Sequence, residues 1–190
     1  RRDDGMHMSE VLKKELADLR ERTGKTALQT LETGTIRNEG EQYQMNDGWS
    51  TLTFAEDARD NEGWHTGIDL SIQAATNVLT AHDLTARVTL LEGYSVDVLG
   101  EMIRGDRETL FDVILLDSDN DGQLIMHEYM LARHMLAPGG LLLVDDVDLS
   151  SSGVLKGHMI APWLRAHGWS YRIETRTGRG YATGVLVVES

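Results

Sequence analysis

Apolar and polar positions follow one another along this chain in two rhythms. Five apolar runs are short enough for strands: KTALQTLE, WHTGIDL, ARVTLLEG, FDVILLD and GLLLVDD. Between them lie stretches with apolar residues at helical spacing, the pattern of a parallel sheet covered by helices on both faces. Ahead of the first strand, SEVLKKELADLRER puts Leu12, Leu16 and Leu19 on one stripe, with Ser9 as N-cap, and predicts a packing helix. Gly48-Trp49-Ser50-Thr51 should open a helix through TLTFAEDA. SIQAATNVLTAHDL presents Ala75, Val78 and Leu79 on one face with Ser71 as cap, and SVDVLGEMIRG repeats the device with Val98, Leu99 and Met102. QLIMHEYMLARHML is helical in composition and should be stopped by Pro138, Gly139 and Gly140, making Asp117 to Leu141 one right-handed crossover. SGVLKGHMIAPWLRAHG predicts a helix interrupted or kinked near Pro162. SYRIETRTGRGYATGVLVVE reads as two strands about a Thr/Gly/Arg-rich turn.

Composition narrows the class. The chain has 190 residues, 41% of them hydrophobic, enough for one sizeable core, and no repeat or linker divides it. One domain over residues 1–190 is expected, with 1–24 as an N-terminal helical extension. A formal net charge of -13 opposes a phosphate backbone, so no nucleic-acid partner is expected. No apolar run is long enough to span a bilayer, and RRDDGMHMSE has no signal-peptide core, so a cytoplasmic protein without a membrane partner is expected. The absence of cysteine removes disulfides, thiolate metal sites and a cysteine nucleophile. The residues ahead of Met6 or Met8 are expected to be additions to a native start.

In an open parallel sheet, ligands bind beyond the carboxyl ends of the strands. Glu32, Thr33, Gly34 and Thr35 follow the first strand, Asp69 the second, Gly93 to Ser95 the third, Asp117 to Asp121 the fourth, and Asp145 with Asp146 the fifth. Thr33-Gly34-Thr35 is a small-residue turn that lets a ligand approach the backbone, but it is not the GxGxxG of nicotinamide enzymes. Asp69 is placed to accept from both hydroxyls of a ribose, or to cap the helix near Ser71. Asp117, Asp145 and Asp146 come from consecutive strands, so three carboxylates should converge. Charges that close either raise their pKa values or take up a cation, and an all-oxygen set suits Mg²⁺, Mn²⁺ or Ca²⁺. The alternative is that Asp146 points to solvent or caps a turn. A phosphorylation receiver domain also groups three acids at strand ends, but there the acidic pair precedes the third Asp and a Lys is needed after a later strand; here the pair follows, and no such Lys appears.

ETGT, GIDLS, EGYS, LLDSDND and APGGLLLVDDV, in this order over roughly residues 27 to 147, resemble class I S-adenosylmethionine-dependent methyltransferases, specifically the metal-dependent small-molecule O-methyltransferases of catechol and macrolide-sugar type. The resemblance implies an α/β, Rossmann-like doubly wound sheet, mostly parallel, with seven strands, a reversed last strand and helices on both faces. It implies that Glu32, Gly34 and Thr35 meet the methionine part of the cofactor, and that Gly48, Ser50 and Thr51 open the next helix at the cofactor carboxylate. It puts Asp69 on the ribose, Leu70 beside the adenine, and Gly93, Tyr94 and Ser95 in the adenine-side loop. Asp117, Asp145 and Asp146 correspond to the ligands of a divalent metal, Mg²⁺ or else Mn²⁺ or Ca²⁺, with Asp117 also at the cofactor. Two features depart from the family pattern. Residues 36–47 form an inserted loop, a possible lid or substrate wall. Asn120 stands where relatives carry a Lys or His base, and an amide accepts no proton at neutral pH.

The function expected is therefore methyl transfer from S-adenosylmethionine to a hydroxyl of a small molecule, catechol-like, enolic or sugar. Metal coordination would supply acidity, with Asp117, Asn120 and Asp119 at the reacting group and Asp121 or a histidine as other bases. The alternative is a non-catalytic S-adenosylmethionine-binding protein that has lost its base at Asn120. His127 and His134 share a helix face and are expected to be ordinary side chains. Trp49 could stack on substrate or pack in the core, and Arg37 could bind an anionic group or pair with a carboxylate. A homodimer is compatible with the family.

Overall fold

The computed structural model describes residues 7–40, 49–105, 109–148, 156–176 and 183–190. Along the chain, helix α1 (Met8–Thr23) precedes strand β1 (Gln29–Thr33), α2 (Ser50–Asp60), β2 (Trp64–Asp69) and α3 (Gln73–Ala81). β3 (Val88–Glu92), α4 (Ser95–Gly105), β4 (Phe111–Leu116) and α5 (Gly122–Ala132) follow, then β5 (Leu136–Asp148), α6 (Lys156–Ala166), β6 (Tyr171–Arg176) and β7 (Thr183–Glu189). The sheet has seven strands in the order β3-β2-β1-β4-β5-β7-β6. β1 to β5 pair in parallel, and β7 runs antiparallel to both β5 and β6. This is the doubly wound sheet with a reversed last strand. Its order turns at β1 and β4, the place where strand directions of travel diverge and a crevice opens at the carboxyl edge.

The central strands are apolar without interruption because both their faces are covered. On β4, Ile114 and Leu116 join Ile125 and Tyr129 of α5 and Ile160 and Leu164 of α6 in one core layer. The intervening Val113 and Leu115 face Leu12, Leu16 and Leu19 of α1 and Phe54 of α2. The period of two in a strand thus feeds two cores from one apolar run. A third cluster, Ile36, Trp49, Leu52 and Ala75 among others, seats α2 and α3 beside the cleft.

Several element boundaries differ from the expectation. α1 starts at Met8 with His7, not Ser9, as N-cap, because Glu10 accepts a 2.8 Å hydrogen bond from the His7 N–H and closes a capping box. α3 starts after Ile72 without a side-chain cap, so Ser71 does not cap it. α5 ends at Ala132 rather than near Leu136. The competing pull is the sheet: Phe111 N–H donates to Met135 O at 2.7 Å and Leu136 pairs with Phe111. β5 therefore begins before Pro138-Gly139-Gly140, which sit at a register shift against β4 rather than in a terminating turn. α6 runs through Pro162 without ending there. Residues 152–155 of the expected helix, most of the inserted loop (41–47), Gly48 and the 177–182 turn lie outside the described residues.

Candidate active site at the carboxyl edge of the sheet

The turn after β1 is built on Gly34. Its φ of +84° is left-handed, and a Cβ there would lie 2.3 Å from the backbone oxygen of Asp117. Only glycine lets β1 and β4 leave the sheet this close together. Gly34 N–H donates to Ile68 O at 2.8 Å, and Asp117 N–H donates to Thr33 O at 2.9 Å, so the first, second and fourth strand ends are tied into one rim. Thr35 closes it further, its N–H donating to Asp69 Oδ2 at 2.7 Å and its hydroxyl to the same oxygen at 3.3 Å. The other oxygen of Asp69 receives only a long contact, 3.4 Å, from Ser71 N–H.

Above this rim lies a cleft lined by Gly34, Asp69, Leu70, Gly93, Tyr94 and Ser95, with Asp119 on its far wall. Leu70 is 70% exposed and Tyr94 47%, large apolar surfaces left open beside the Asp69 carboxylate and Ser95. Such a pairing suits a flat heterocycle edged by polar groups. The cleft thus gathers seven residues expected at the cofactor or reacting group. Glu32, Thr35, Ser50 and Thr51 are buried behind it.

Glu32 acts from that buried position. It is fully buried, with Oε2 accepting from Ser50 Oγ at 2.7 Å and Oε1 lying 3.2 Å from His65 Nε2. His65 Nδ1 is 2.9 Å from Thr30 Oγ1, and Phe54 stacks on the ring at 5.0 Å between centroids. If Nε2 carries the proton, every group in the chain Ser50–Glu32–His65–Thr30 is satisfied. The network fixes the start of α2 against β1 and β2. Glu32→Gln is expected to face an amide N–H₂ against a donor and to lower stability by about 2 kcal/mol. That corresponds to a drop of about 4–8 °C in melting temperature for a chain of this size, read by a thermal melt.

The third part of the site is acidic. Successive strand residues point to opposite faces, so Asp145 and Asp146 in a regular strand would diverge. β5 does not stay regular. Val144 pairs with Leu186 and Val147 with Gly184, two residues against one, and Asp146 takes a left-handed φ of +51°. This bulge turns both carboxylates to one side. One carboxylate oxygen from each of Asp117, Asp145 and Asp146 lies within 4.8 Å of the others. Asp145 and Asp146 are buried and Asp117 half-buried.

A cation from the chain itself already faces them. Lys156, the first residue of α6, is 2% exposed and puts Nζ in direct contact with Asp117 Oδ1 and 3.9 Å from Asp146 Oδ2. Burial pushes the Asp117 carboxyl up to about 6, with the Lys156 ammonium pulling it down and Asp145 and Asp146 pushing it up. Burial also works against the Lys156 charge, but Asp117, Asp145 and Asp146 outweigh it and hold that pKa above the ordinary lysine value. Burial, with the crowding added to it, thus raises the Asp117 carboxyl, and an ammonium of the chain stands against the group. Three hard oxygen donors from three carboxylates also fit an octahedral divalent ion in number and chemistry, with positions to spare.

A family model described as a methyltransferase domain matches residues 45–147, from just before α2 to the residue after the acidic pair. The chain belongs to the methyltransferase family. Its architecture is that of the class I, S-adenosylmethionine-dependent methyltransferases, with solved structures that share the fold at low identity. An O-methyltransferase from Bacillus cereus in complex with SAH is 20% identical, with a TM-score of 0.67 over 97% of this chain and 90% of that one. TomG from Streptomyces achromogenes, an O-methyltransferase of tomaymycin synthesis in complex with SAM, is 17% identical, with a TM-score of 0.64 over 94% and 80%. The N-methyltransferase NodS from Bradyrhizobium japonicum is 14% identical, with a TM-score of 0.60 over 96% and 94%, so the fold alone does not select the acceptor atom. No curated protein matches the chain.

Around the methyltransferase cleft, other expected residues take modest places. Asn120 and Asp119 are exposed, and Asp119 Oδ1 accepts from Asn120 N–H at 2.5 Å. Asp121 caps α5 through Gln123 N–H. Arg37 donates to the backbone oxygens of Asp117 and Ser118 and so holds the start of the inserted loop against the end of β4. Trp49 is buried in the cluster beside the cleft, with a left-handed φ of +38° at the head of α2. His127 and His134 are exposed. Three residues escaped the sequence reading. Lys156, at the head of the helix after β5, corrects the expectation that no Lys follows a later strand to meet the acids; as the one lysine after Lys25, it was visible only as a rarity. Leu124 lines the cleft from the first turn of α5. Glu128, wholly buried, accepts from Thr33 Oγ1 at 2.8 Å; burial raises its pKa, and the hydroxyls of Ser118, Ser95 and Thr33 pull it back. It joins the ends of β1, β4 and the head of α4 from beneath.

Proposed function

We propose that this methyltransferase transfers the methyl group of S-adenosylmethionine to a hydroxyl of a small molecule, catechol-like, enolic or sugar, with a divalent cation at Asp117, Asp145 and Asp146. The observation that carries the reading is the β5 bulge, which turns two neighbouring carboxylates toward a third at the edge of the cofactor cleft. A strained, left-handed Asp146 and a crowded group of charges have no evident benefit to folding. When bound, Mg²⁺ would lower the pKa of a coordinated hydroxyl and fix its angle of attack.

The chain's own residues do the remaining work. Asp69, held at one oxygen by Thr35, offers the other to the ribose hydroxyls. Leu70 and Tyr94 flank the adenine, Gly93 and Ser95 border it, and the rim at Gly34 lets the methionine part lie against backbone. Ser50 and Thr51 orient the head of α2 from behind. Asn120 cannot take the hydroxyl's proton, whereas Asp119, on the cleft wall, offers a carboxylate that can. We place the protein in the cytoplasm as a single domain with no nucleic-acid or membrane partner, and a homodimer fits the same reading. Among the described residues no helix is long and apolar enough to cross a membrane.

Calorimetric titration with S-adenosylmethionine, with and without Mg²⁺, followed by methyl-transfer assays on catechols and sugars, tests the proposal. Binding followed by Mg²⁺-stimulated transfer to oxygen is expected. Cofactor binding with no turnover on any acceptor would favour a non-catalytic cofactor-binding protein instead.

A further inference from the structure

Lys156 has no place in the mechanism above, yet it is the most deeply committed cation at the site among the described residues. Its ammonium touches Asp117 Oδ1, lies 3.9 Å from Asp146 Oδ2 and is almost wholly buried. Its backbone is pinned as well. A Cβ at the next residue, Gly157, would come within 2.5 Å of Val147 Cγ1, so the first turn of α6 lies tightly on β5 one residue beyond Asp146. The lysine is thus aimed at the group from an anchored start.

Charge and space then oppose a second cation. The three carboxylate oxygens fit inside 4.8 Å, a cage for one small ion. A metal bonds oxygen at about 2.0–2.5 Å, so an ion held by Asp117 and Asp146 would sit within a few ångströms of Nζ, with like charges facing. The attraction for it persists nevertheless: among the described residues, three carboxylates face the one ammonium of Lys156. The lysine stem is four flexible carbons, and its ammonium can turn away while the helix stays in place.

We propose that the Lys156 ammonium is the acidic group's own counter-ion, and that a divalent cation enters at Asp117, Asp145 and Asp146 only by displacing it. Lys156 thereby sets the metal concentration at which the site fills. The inference rests on the proposed reading of the three aspartates as a cation site.

Mn²⁺ titrations of the metal-stripped full chain, followed by calorimetry, test it. Lys156→Met, which keeps the length and removes the charge, is expected to bind Mn²⁺ at least about tenfold more tightly than the wild type, while Lys156→Arg stays near it. A measurement on the unaltered chain guards against a variant that does not fold. Acetylation of Lys156 by an amine-selective reagent, followed by mass spectrometry, should be slow in EDTA and faster when Mn²⁺ is added. Equal or weaker Mn²⁺ binding by folded Lys156→Met, or labelling that Mn²⁺ leaves unchanged or slows, overturns the inference. If wild type and Lys156→Met bind Mn²⁺ equally, the inference falls alone. If neither binds it, the metal half of the proposed function falls too.

Discussion

Gly34→Ala should weaken cofactor binding by two orders of magnitude or more and cost more stability than any other single methyl group added near the cleft. Two penalties act together. The left-handed backbone at φ +84° costs an L-residue about 1–2 kcal/mol. The new Cβ also meets backbone, 2.3 Å from Asp117 O and 2.7 Å from Asp117 C, where no flexible side-chain end can yield. Relief requires β1 and β4 to part at the rim, breaking the bonds from Asp117 N–H to Thr33 O and from Gly34 N–H to Ile68 O. Those bonds set the position of Asp69 through Thr35 and of Asp117 directly, so the rim, Asp69 and the acidic group all shift. The expected loss in S-adenosylhomocysteine affinity is at least about a hundredfold, or about 2.7 kcal/mol. Calorimetry reads the affinity and a thermal melt reads the stability. Retained affinity at a lower melting temperature would show that the turn supports the fold without shaping the cofactor site.

Gly34 also shows what was legible in the sequence. The rule that ligands gather at the carboxyl ends of parallel strands needs only strand positions, and uninterrupted apolar runs supply those. Asp69, Gly93, Ser95 and Asp117 could therefore be placed without a structure. The convergence of the three aspartates was foreseeable too, because β4 and β5 are neighbours. How Asp145 and Asp146 converge was not. The bulge is a mismatch between β5 and the antiparallel β7, whose partners lie about forty residues further on, and one strand's own pattern holds no sign of it. Glu32 carried the right motif, but its bond to Ser50 spans the inserted loop, so its buried, bracing position came only from packing. The end of α5 failed for a related reason. QLIMHEYMLARHML keeps its helical composition past Ala132, but the hydrogen bond that Phe111 N–H gives Met135 O, at the amino end of β4, draws Met135 and Leu136 into the sheet. Lys156 reaches back ten residues beyond Asp146, a return that no spacing rule describes.

Asp145→Asn should separate what the acidic group does for the fold from what it does for chemistry. Two unit charges 4.8 Å apart repel by about 3–4 kcal/mol at an effective dielectric near 20, and three carboxylates face one ammonium here. Neutralising Asp145 removes its repulsion with both Asp117 and Asp146 while keeping the side chain's shape. The metal-free chain is therefore expected to melt at the same temperature or slightly above it. Activity should move the other way. A divalent ion loses one of three charged ligands, so turnover should fall about a hundredfold or more, in the range expected when a preorganised charge at a reacting centre is removed. Stimulation by Mg²⁺ and inhibition by EDTA should weaken with it, whereas S-adenosylmethionine affinity, which the proposed reading assigns to the Gly34 and Asp69 side of the cleft, should change little. Turnover and EDTA sensitivity both unchanged in Asp145→Asn would mean that the three aspartates hold no catalytic metal. A fold that tolerates or gains from the loss, beside a reaction that does not, would identify the crowding on β5 as a cost carried for catalysis.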